Sequence, residues 1–285
     1  MKTNFLLSSA LGALVLTALS ILFDFAIGRS LTSHLLGWML LSNALISVIL
    51  GLTIKYNTLY GWRLALSVFL IYFLIGHFSL LLEAYIFDVT ERQQTLMIIL
   101  QGFMITLISS PILVLLFGKW KGRETKLDFA PRSGLSWVWR IFVGDFLYVF
   151  LYLLAGFILY AVYPQLMDFY GDKVPPFSVM INTQFFRAVI FICAAVLLSR
   201  TIELSLFHRA LLIGAFFSIV GGLAPLVVPD NEIMPAYIRL GHAFEVGISN
   251  FLFGIALTYL LGQKILAKDL REPLRSKQEN ELNLI

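Results

Sequence analysis

Long apolar stretches alternate along this chain with short segments that are charged or rich in Pro, Gly and Asn. Eight of them are long enough to cross a membrane: 5–27, 35–54, 63–87, 94–117, 137–163, 184–202, 207–228 and 238–262. A hydrocarbon core of about 30 Å needs roughly 20 apolar residues per helix. Backbone polar groups in hydrocarbon must pair within their own segment, so each stretch is predicted to be helical. The pattern predicts an all-α, polytopic transmembrane bundle of about eight spans.

Composition agrees with a membrane location. Hydrophobic residues make up 59% of the chain and charged residues 13%, whereas soluble domains are about half apolar and about a quarter charged. The basic excess does not imply nucleic acid, because the basic residues lie mainly between spans, where orientation in the bilayer explains them. We therefore predict the lipid bilayer as a partner and no nucleic-acid partner, and leave the oligomeric state open. The single cysteine, Cys193, excludes an intramolecular disulfide.

The Lys and Arg residues predict the orientation. With the N-terminus inside, 16 of the 21 lie on the cytoplasmic side, while Asp and Glu divide evenly, eight inside and nine outside. The basic residues on the other side are Arg29, Arg92, Lys173, Arg187 and Arg239. Only Lys and Arg count in the positive-inside rule. Both termini are therefore predicted to be cytoplasmic, in a bacterial-type inner membrane.

The spans are predicted to form one domain, residues 1–263, followed by a cytoplasmic tail, 264–285, of mixed charge. An alternative makes the first span a cleaved signal peptide and leaves seven spans. Retention is favoured, because the apolar run continues to Ile27 and no A-x-A site closes it.

The longest cytoplasmic loop, 118–136, divides the chain into halves of four spans, 1–117 and 137–263. Both halves would begin inside, so a duplication would be parallel and not inverted. The residues that match are few: Gly76 with Gly222, and Ser109 with Ser249. A parallel 4+4 repeat therefore stands as an alternative to eight unrelated helices.

Ionisable residues collect toward the outer ends of the spans. Such groups cost about 2.5–3.5 kcal/mol at the centre of a membrane helix and are functional candidates by default. The predicted ligand-binding set is His77, Glu83, Arg187, Arg239, His242, Glu245 and Ser249. At about 1.5 Å per residue, His77 lies in the outer half of span three, whereas Arg187 opens span six.

His242 and Glu245 are the sharpest pair in this set. They are three residues apart and hence neighbours on one helix face, and Ser249 continues that face four residues on. Two adjacent ionisable groups would be costly facing hydrocarbon. This face is therefore predicted to turn inward and to meet His77 of span three.

Three interpretations of the outer cluster remain open. In the structural one, charged residues pair with one another and fix the helix packing: Arg239, Arg187, Glu245, Glu83 and Asp24. In the second, the cluster binds a small solute, ion or lipid headgroup in a carrier or binding protein. In the third, His77, His242 and Glu245, with His34 as a further donor, hold a metal or haem in a membrane enzyme, since imidazole and carboxylate suit Zn, Cu or Fe.

Overall fold

A computed structural model describes residues 4–28, 33–88, 91–125, 127, 131–165, 171, 174–229 and 236–262. Within them, eight helices are long and apolar enough to cross a membrane. They are α1 (Phe5–Ala26), α2 (Ser33–Lys55), α3 (Gly61–Ile86), α4 (Arg92–Leu116), α5 (Gly134–Val162), α6 (Phe177–Thr201), α7 (Leu206–Val227) and α8 (Ala236–Leu261). The predicted polytopic helical bundle is confirmed. The predicted tail, 264–285, lies outside the described residues.

Polar caps mark where several helices begin. The Asn4 side chain accepts hydrogen bonds from the first backbone N–H groups of α1. Ser133 and Ser205 do the same for α5 and α7. Such side chains satisfy amides that have no partner within the helix. The cap at Ser133 explains why α5 begins at Gly134, ahead of the predicted 137.

Helix α6 begins earlier than predicted, at Phe177 and not at 184. The predicted span began at 184, where polar residues interrupt the apolar run, but the bundle buries polar side chains here: Gln184 is 0% exposed and Arg187 4%. Arg187 therefore does not open the span. It lies ten residues into α6, roughly 15 Å from the helix start at about 1.5 Å per residue.

Each half of the chain packs its four helices in the same way. In the first half, α1 contacts α2 and α4, and α3 contacts α4. In the second half, α5 contacts α6 and α8, and α7 contacts α8. The halves meet where α3 crosses α7, where α2 packs on the C-terminal part of α7, and where α6 packs on the C-terminal part of α3.

Two helices are interrupted by π-helical turns at equivalent places. The turns are Leu74–Phe78 in α3 and Ile219–Leu223 in α7, and each starts thirteen residues after the first residue of its helix. At Gly222 the backbone leaves the helical region altogether, with φ 176° and ψ −49°. A π turn adds a residue to the helical repeat and so changes the direction of the side chains that follow.

Neighbouring side chains satisfy carbonyl groups at the break in α7. The Asn250 amide of α8 donates to the Gly221 carbonyl at 3.3 Å, and the Ser42 hydroxyl of α2 donates to the Ala224 carbonyl at 2.7 Å. A carbonyl released from a helix in hydrocarbon needs such a partner. The break is therefore a supported part of the fold.

Contacts between the halves are reciprocal. Gly76 of α3 packs on Val220 of α7, where a Cβ would lie 2.9 Å from the valine Cγ1, and Gly221 packs on Ile75, where a Cβ would lie 3.3 Å from the isoleucine Cγ2. Gly76 and Gly221, the two glycines, are 145 residues apart in the chain, and so are their partners, Ile75 and Val220. The same spacing relates the loops before α3 and α7, which pair through an antiparallel bridge: Asn57 with Ile202.

Contacts within the halves obey similar relations. The Ser8 hydroxyl of α1 donates to the Leu116 carbonyl of α4 at 2.7 Å, and Arg140 Nε of α5 donates to the Leu260 carbonyl of α8 at 3.0 Å. In these two contacts Ser8 corresponds to Arg140, which lies 132 residues later in the chain. Leu116 corresponds to Leu260, which lies 144 residues later. A parallel 4+4 repeat would produce such reciprocal contacts, and the repeat itself stays a prediction.

The residue pairs that the contacts relate to each other differ from the pairs matched in the sequence. Gly76 corresponds to Gly221 and not to Gly222, because the contacts relate positions 145 apart. Ser109 corresponds to Phe253 and not to Ser249, one helical turn away. Apolar helices align with one another in several registers, and side-chain contacts choose among them.

The predicted orientation can be tested by cysteine labelling in a Cys193→Ala background. Thr125 follows α4 and Gln93 lies in its first turn; both are exposed and uncharged, so neither replacement alters the Lys and Arg distribution. We expect a membrane-impermeant maleimide to label Thr125→Cys only from the cytoplasmic side and Gln93→Cys only from outside. The opposite pattern would reverse the orientation.

Candidate functional site

A buried ion pair joins α3 to α6 in the outer half of the bundle, in the predicted orientation. Arg187 Nη1 donates to Glu83 Oε2 and, at 3.0 Å, to Gln184 Oε1, and Arg187 Nε donates to Ser79 Oγ at 3.3 Å. Glu83 Oε1 accepts from the Tyr152 hydroxyl of α5 at 3.0 Å and from Gln184 Nε2 at 3.1 Å. Both carboxylate oxygens are therefore hydrogen-bonded, which is what a buried charge requires.

Local helix geometry brings these groups together. Ser79 and Glu83 are four residues apart on α3, and Gln184 and Arg187 are three apart on α6, so each helix presents two polar groups on one face. We call these four residues and Tyr152 the outer network. Linked hydrogen bonds in a low-dielectric interior strengthen one another.

The predicted neighbours His242 and Glu245 form a second buried pair, on α8. His242 Nδ1 lies 2.6 Å from Glu245 Oε2, and the side chains are 19% and 9% exposed, respectively. Glu245 interacts electrostatically with Arg187 and Tyr152 of the outer network. The α8 pair therefore extends the charged region from α3 and α6 to a fourth helix.

The other oxygen of Glu245 faces a glycine of α5. A Cβ at Gly156 would lie 3.9 Å from Glu245 Oε1. Within the described part of the chain, Oε1 accepts no hydrogen bond, whereas Oε2 is bound by His242. This carboxylate oxygen thus lies next to a half-buried position that has no side chain.

His77 does not join this region. It lies in the π-helical turn of α3 and packs against Gly102 of α4, with its ring centroid 5.3 Å from that of Tyr72. The described residues contain no group of three His, Cys, Asp or Glu side chains placed to hold a metal ion. The predicted metal group of His77, His242 and Glu245 is therefore not formed. The sequence estimate assumed a regular α-helix, and the π turn changes that direction.

The two remaining candidates make separate contacts. Arg239 is buried and donates to the Val228 carbonyl at the end of α7. Ser249 bonds within its own helix, to the Val246 carbonyl at 3.4 Å. Four of the seven predicted residues therefore form the charged region: Glu83, Arg187, His242 and Glu245.

The reciprocal contacts relate the outer network to a place in the first half. Arg187 corresponds to Ser42 and Ser79 corresponds to Ala224. There the Ser42 hydroxyl donates to the Ala224 carbonyl. A neutral hydrogen bond thus closes the interface that the second half closes with Arg187.

A second comparison concerns Glu245. Its counterpart on α4 is Gln101, and the counterpart of Gly156 is Asp24 of α1. Gln101 Nε2 donates to Asp24 Oδ1 at 2.9 Å. In the first half an amide meets a carboxylate, whereas in the second half the carboxylate of Glu245 meets a glycine.

Sequence reasoning missed Ser79, Tyr152, Gln184 and Gly156. The spacing of Ser79 from Glu83 and of Gln184 from Arg187 was a usable signal, because polar groups three or four residues apart share a helix face. Tyr152 and Gly156 gave no such signal. Tyrosine and glycine are common in membrane helices, and their role here depends on which helix they face.

No protein-family model, curated protein or solved structure matched the chain. Its class follows from its own features: the eight apolar helices found among the described residues make it a multi-pass integral membrane protein.

Proposed function

We propose that this membrane protein is a carrier for a small polar or charged solute, which binds at the charged region formed by the outer network and the α8 pair. The observation that supports this most is the asymmetry between the halves. Arg187 is buried and Glu83 is partly buried, and both are charged, whereas their counterparts, Ser42 and Val228, are neutral.

Packing alone does not account for this asymmetry. Removing two ions from water costs several kcal/mol per ion, and their attraction repays this only with excellent geometry. The same interface in the first half is closed by one hydroxyl and one carbonyl. Because the fold can form this contact without charge, the charged version favours a role in binding.

The position of the charged region also favours a carrier. Carriers built from repeats place their sites at the repeat interface, next to interrupted helices. The segment Ser79–Ile86 follows the π turn of α3 and carries Ser79 and Glu83. Bending at that turn would move both residues relative to Arg187 on α6, which is the kind of change that opens and closes a site.

A ligand screen followed by a flux assay tests this proposal. Thermal unfolding of the purified protein is measured with amino acids, primary amines, carboxylates, alkali salts and glycerophosphate. A true ligand at 100 times its Kd should stabilise the protein by about 2.7 kcal/mol. The compound that stabilises should also enter proteoliposomes that contain the protein.

A double variant, Arg187→Met with Glu83→Leu, should lose both the stabilisation and the uptake. The matched control is Arg92→Met with Asp88→Asn, which removes an exposed ion pair at the same end of the bundle and should retain both. Stabilisation without any uptake would refute the carrier. Unchanged uptake in the double variant would refute the site.

A further inference from the structure

Two arginines meet the C-terminal end of α8, at the end of the bundle where α5 begins. Arg132 Nη1 donates to the Leu261 carbonyl at 2.8 Å, and its Nη2 donates to the Gly262 carbonyl at 3.1 Å. Arg140 Nε donates to the Leu260 carbonyl at 3.0 Å. The last carbonyls of a helix have no partner within it, so both arginines satisfy the end of α8.

This structural role does not account for the amount of positive charge. The C-terminal end of a helix carries roughly half a negative elementary charge, whereas Arg132 and Arg140 each carry a full positive one. Burial lowers the pKa of Arg132 from its ordinary value, and the charges of Arg140 and Arg200 lower it further. Among the described residues, no carboxylate forms an ion pair with Arg132 or Arg140. The end of α8 therefore holds arginines that repel one another.

Both arginines have N–H groups available for a further acceptor. Arg140 uses Nε for Leu260 and Nη1 for the carbonyl and hydroxyl of Ser136. Its Nη2, like Nε of Arg132, donates to no atom in the part of the chain that the structure describes. Arginine binds phosphate oxygens through such N–H groups, and the charge strengthens these bonds.

Tryptophans place the arginines at the depth of lipid headgroups. Arg132 Cζ lies 5.0 Å from the ring centroid of Trp137, and Arg140 Cζ lies 4.3 Å from that of Trp139. Tryptophan is enriched where hydrocarbon meets water. Trp139 is exposed and belongs to an apolar face of α5 that continues along the span: Leu135, Val138, Phe142 and Phe146. An acyl chain along this face would bring its headgroup to Arg140.

We infer that Arg132 and Arg140, with Trp137 and Trp139, form a binding site for the phosphate headgroup of an anionic phospholipid. Basic pockets between membrane helices bind such headgroups. The phosphate supplies the negative charge that the α8 carbonyls lack, and the acyl chains cover the exposed face of α5. The charged region of the proposed carrier lies toward the opposite ends of these helices, so the inference does not depend on the carrier function.

Lipid titration of the purified, full-length protein tests the inference. Native mass spectrometry in a mild detergent measures the binding of phosphatidylglycerol and of phosphatidylcholine with the same acyl chains. We expect the unmodified protein to bind phosphatidylglycerol more tightly, because only this headgroup carries a net negative charge. Glycerophosphate, which has the phosphate but no acyl chains, should not displace the lipid at equal concentration.

Arg132→Gln with Arg140→Gln should weaken phosphatidylglycerol binding by roughly 25-fold, at about fivefold for each basic residue removed near a membrane surface. Phosphatidylcholine binding should not change. The matched control is Lys121→Gln with Arg123→Gln, which removes the same charge from exposed positions at the same end of the bundle and should retain the preference. Each single variant leaves one arginine on the α8 carbonyls and should lose about fivefold, so the singles replace the double variant if it does not fold.

The inference is overturned if the unmodified protein binds both lipids equally, or if folded variants of Arg132 and Arg140 bind phosphatidylglycerol as it does. An equal loss in the control would show that total charge attracts the lipid, and displacement by glycerophosphate would show a site for free phosphate. The remaining alternative is an acidic segment of the chain itself. If Asp269→Asn with Glu272→Gln tightens lipid binding by about fivefold or more, that segment and not a lipid occupies the arginines.

Discussion

Arg187→Met is expected to lower the free energy of unfolding by about 3–5 kcal/mol, because it leaves the Glu83 carboxylate buried without its charged partner. Arg187 is 4% exposed and also holds Ser79 and Gln184. Chemical unfolding of the purified protein in mixed micelles measures the change. The exposed pair at the same end of the bundle supplies the control: Arg92→Met should cost at most about 1 kcal/mol.

The double variant distinguishes a binding role of the Arg187–Glu83 pair from a packing role. Arg187→Met with Glu83→Leu should recover most of the stability, since apolar residues often replace a buried ion pair without loss. Recovery of stability together with loss of ligand binding would support a binding role. If the double variant is as unstable as Arg187→Met alone, the pair is needed for packing, and the argument from Ser42 fails.

Gly102→Ala is expected to destabilise the protein by about 1–3 kcal/mol, the usual cost of overpacking. Its new Cβ would overlap the His77 side chain, whose own Cβ would lie 2.7 Å away. That contact is close to the backbone of α3 and cannot be relieved by a rotamer change. Thermal unfolding of the purified variant measures the effect.

His77→Ala should rescue Gly102→Ala only in part, because it removes the ring atoms at 2.4 Å from the new methyl group but keeps the Cβ at 2.7 Å. Gly37→Ala on α2 is the matched control: a Cβ there has no neighbour within 4 Å, and replacing a helical glycine should if anything stabilise, by roughly 0.5–1 kcal/mol. If Gly102→Ala behaves like Gly37→Ala, the close approach of α3 and α4 at the π turn is wrong.

Local spacing made one part of the charged region predictable. His242 and Glu245 lie three residues apart on a helix, and the hydrogen bond between them follows from that geometry. Glu83 and Arg187 were recognised as costly ions within spans. Their pairing with each other was one of several combinations, because the sequence does not say which faces of α3 and α6 meet.

The π turn accounts for the prediction that was wrong. The estimated depth of His77 in the membrane made it the expected partner of His242, but His77 lies within Leu74–Phe78, where the helix is interrupted, and it packs against Gly102 of α4. A π turn has no reliable sequence pattern. It forms where packing against a neighbour, as between Gly76 and Val220, compensates for the irregular hydrogen bonding.

The sequence by itself determined the eight spans, because the need to bury apolar side chains and pair backbone groups in hydrocarbon acts on each segment separately. It also marked the ions whose burial requires a reason. Only the tertiary structure decided that Arg187 meets Glu83 and that Glu245 meets Gly156. It also decided that a neutral hydrogen bond takes the place of the first contact in the other half, and that an amide–carboxylate hydrogen bond takes the place of the second. Those relations depend on how each helix is rotated against its neighbours, and contacts between residues distant in sequence set that rotation.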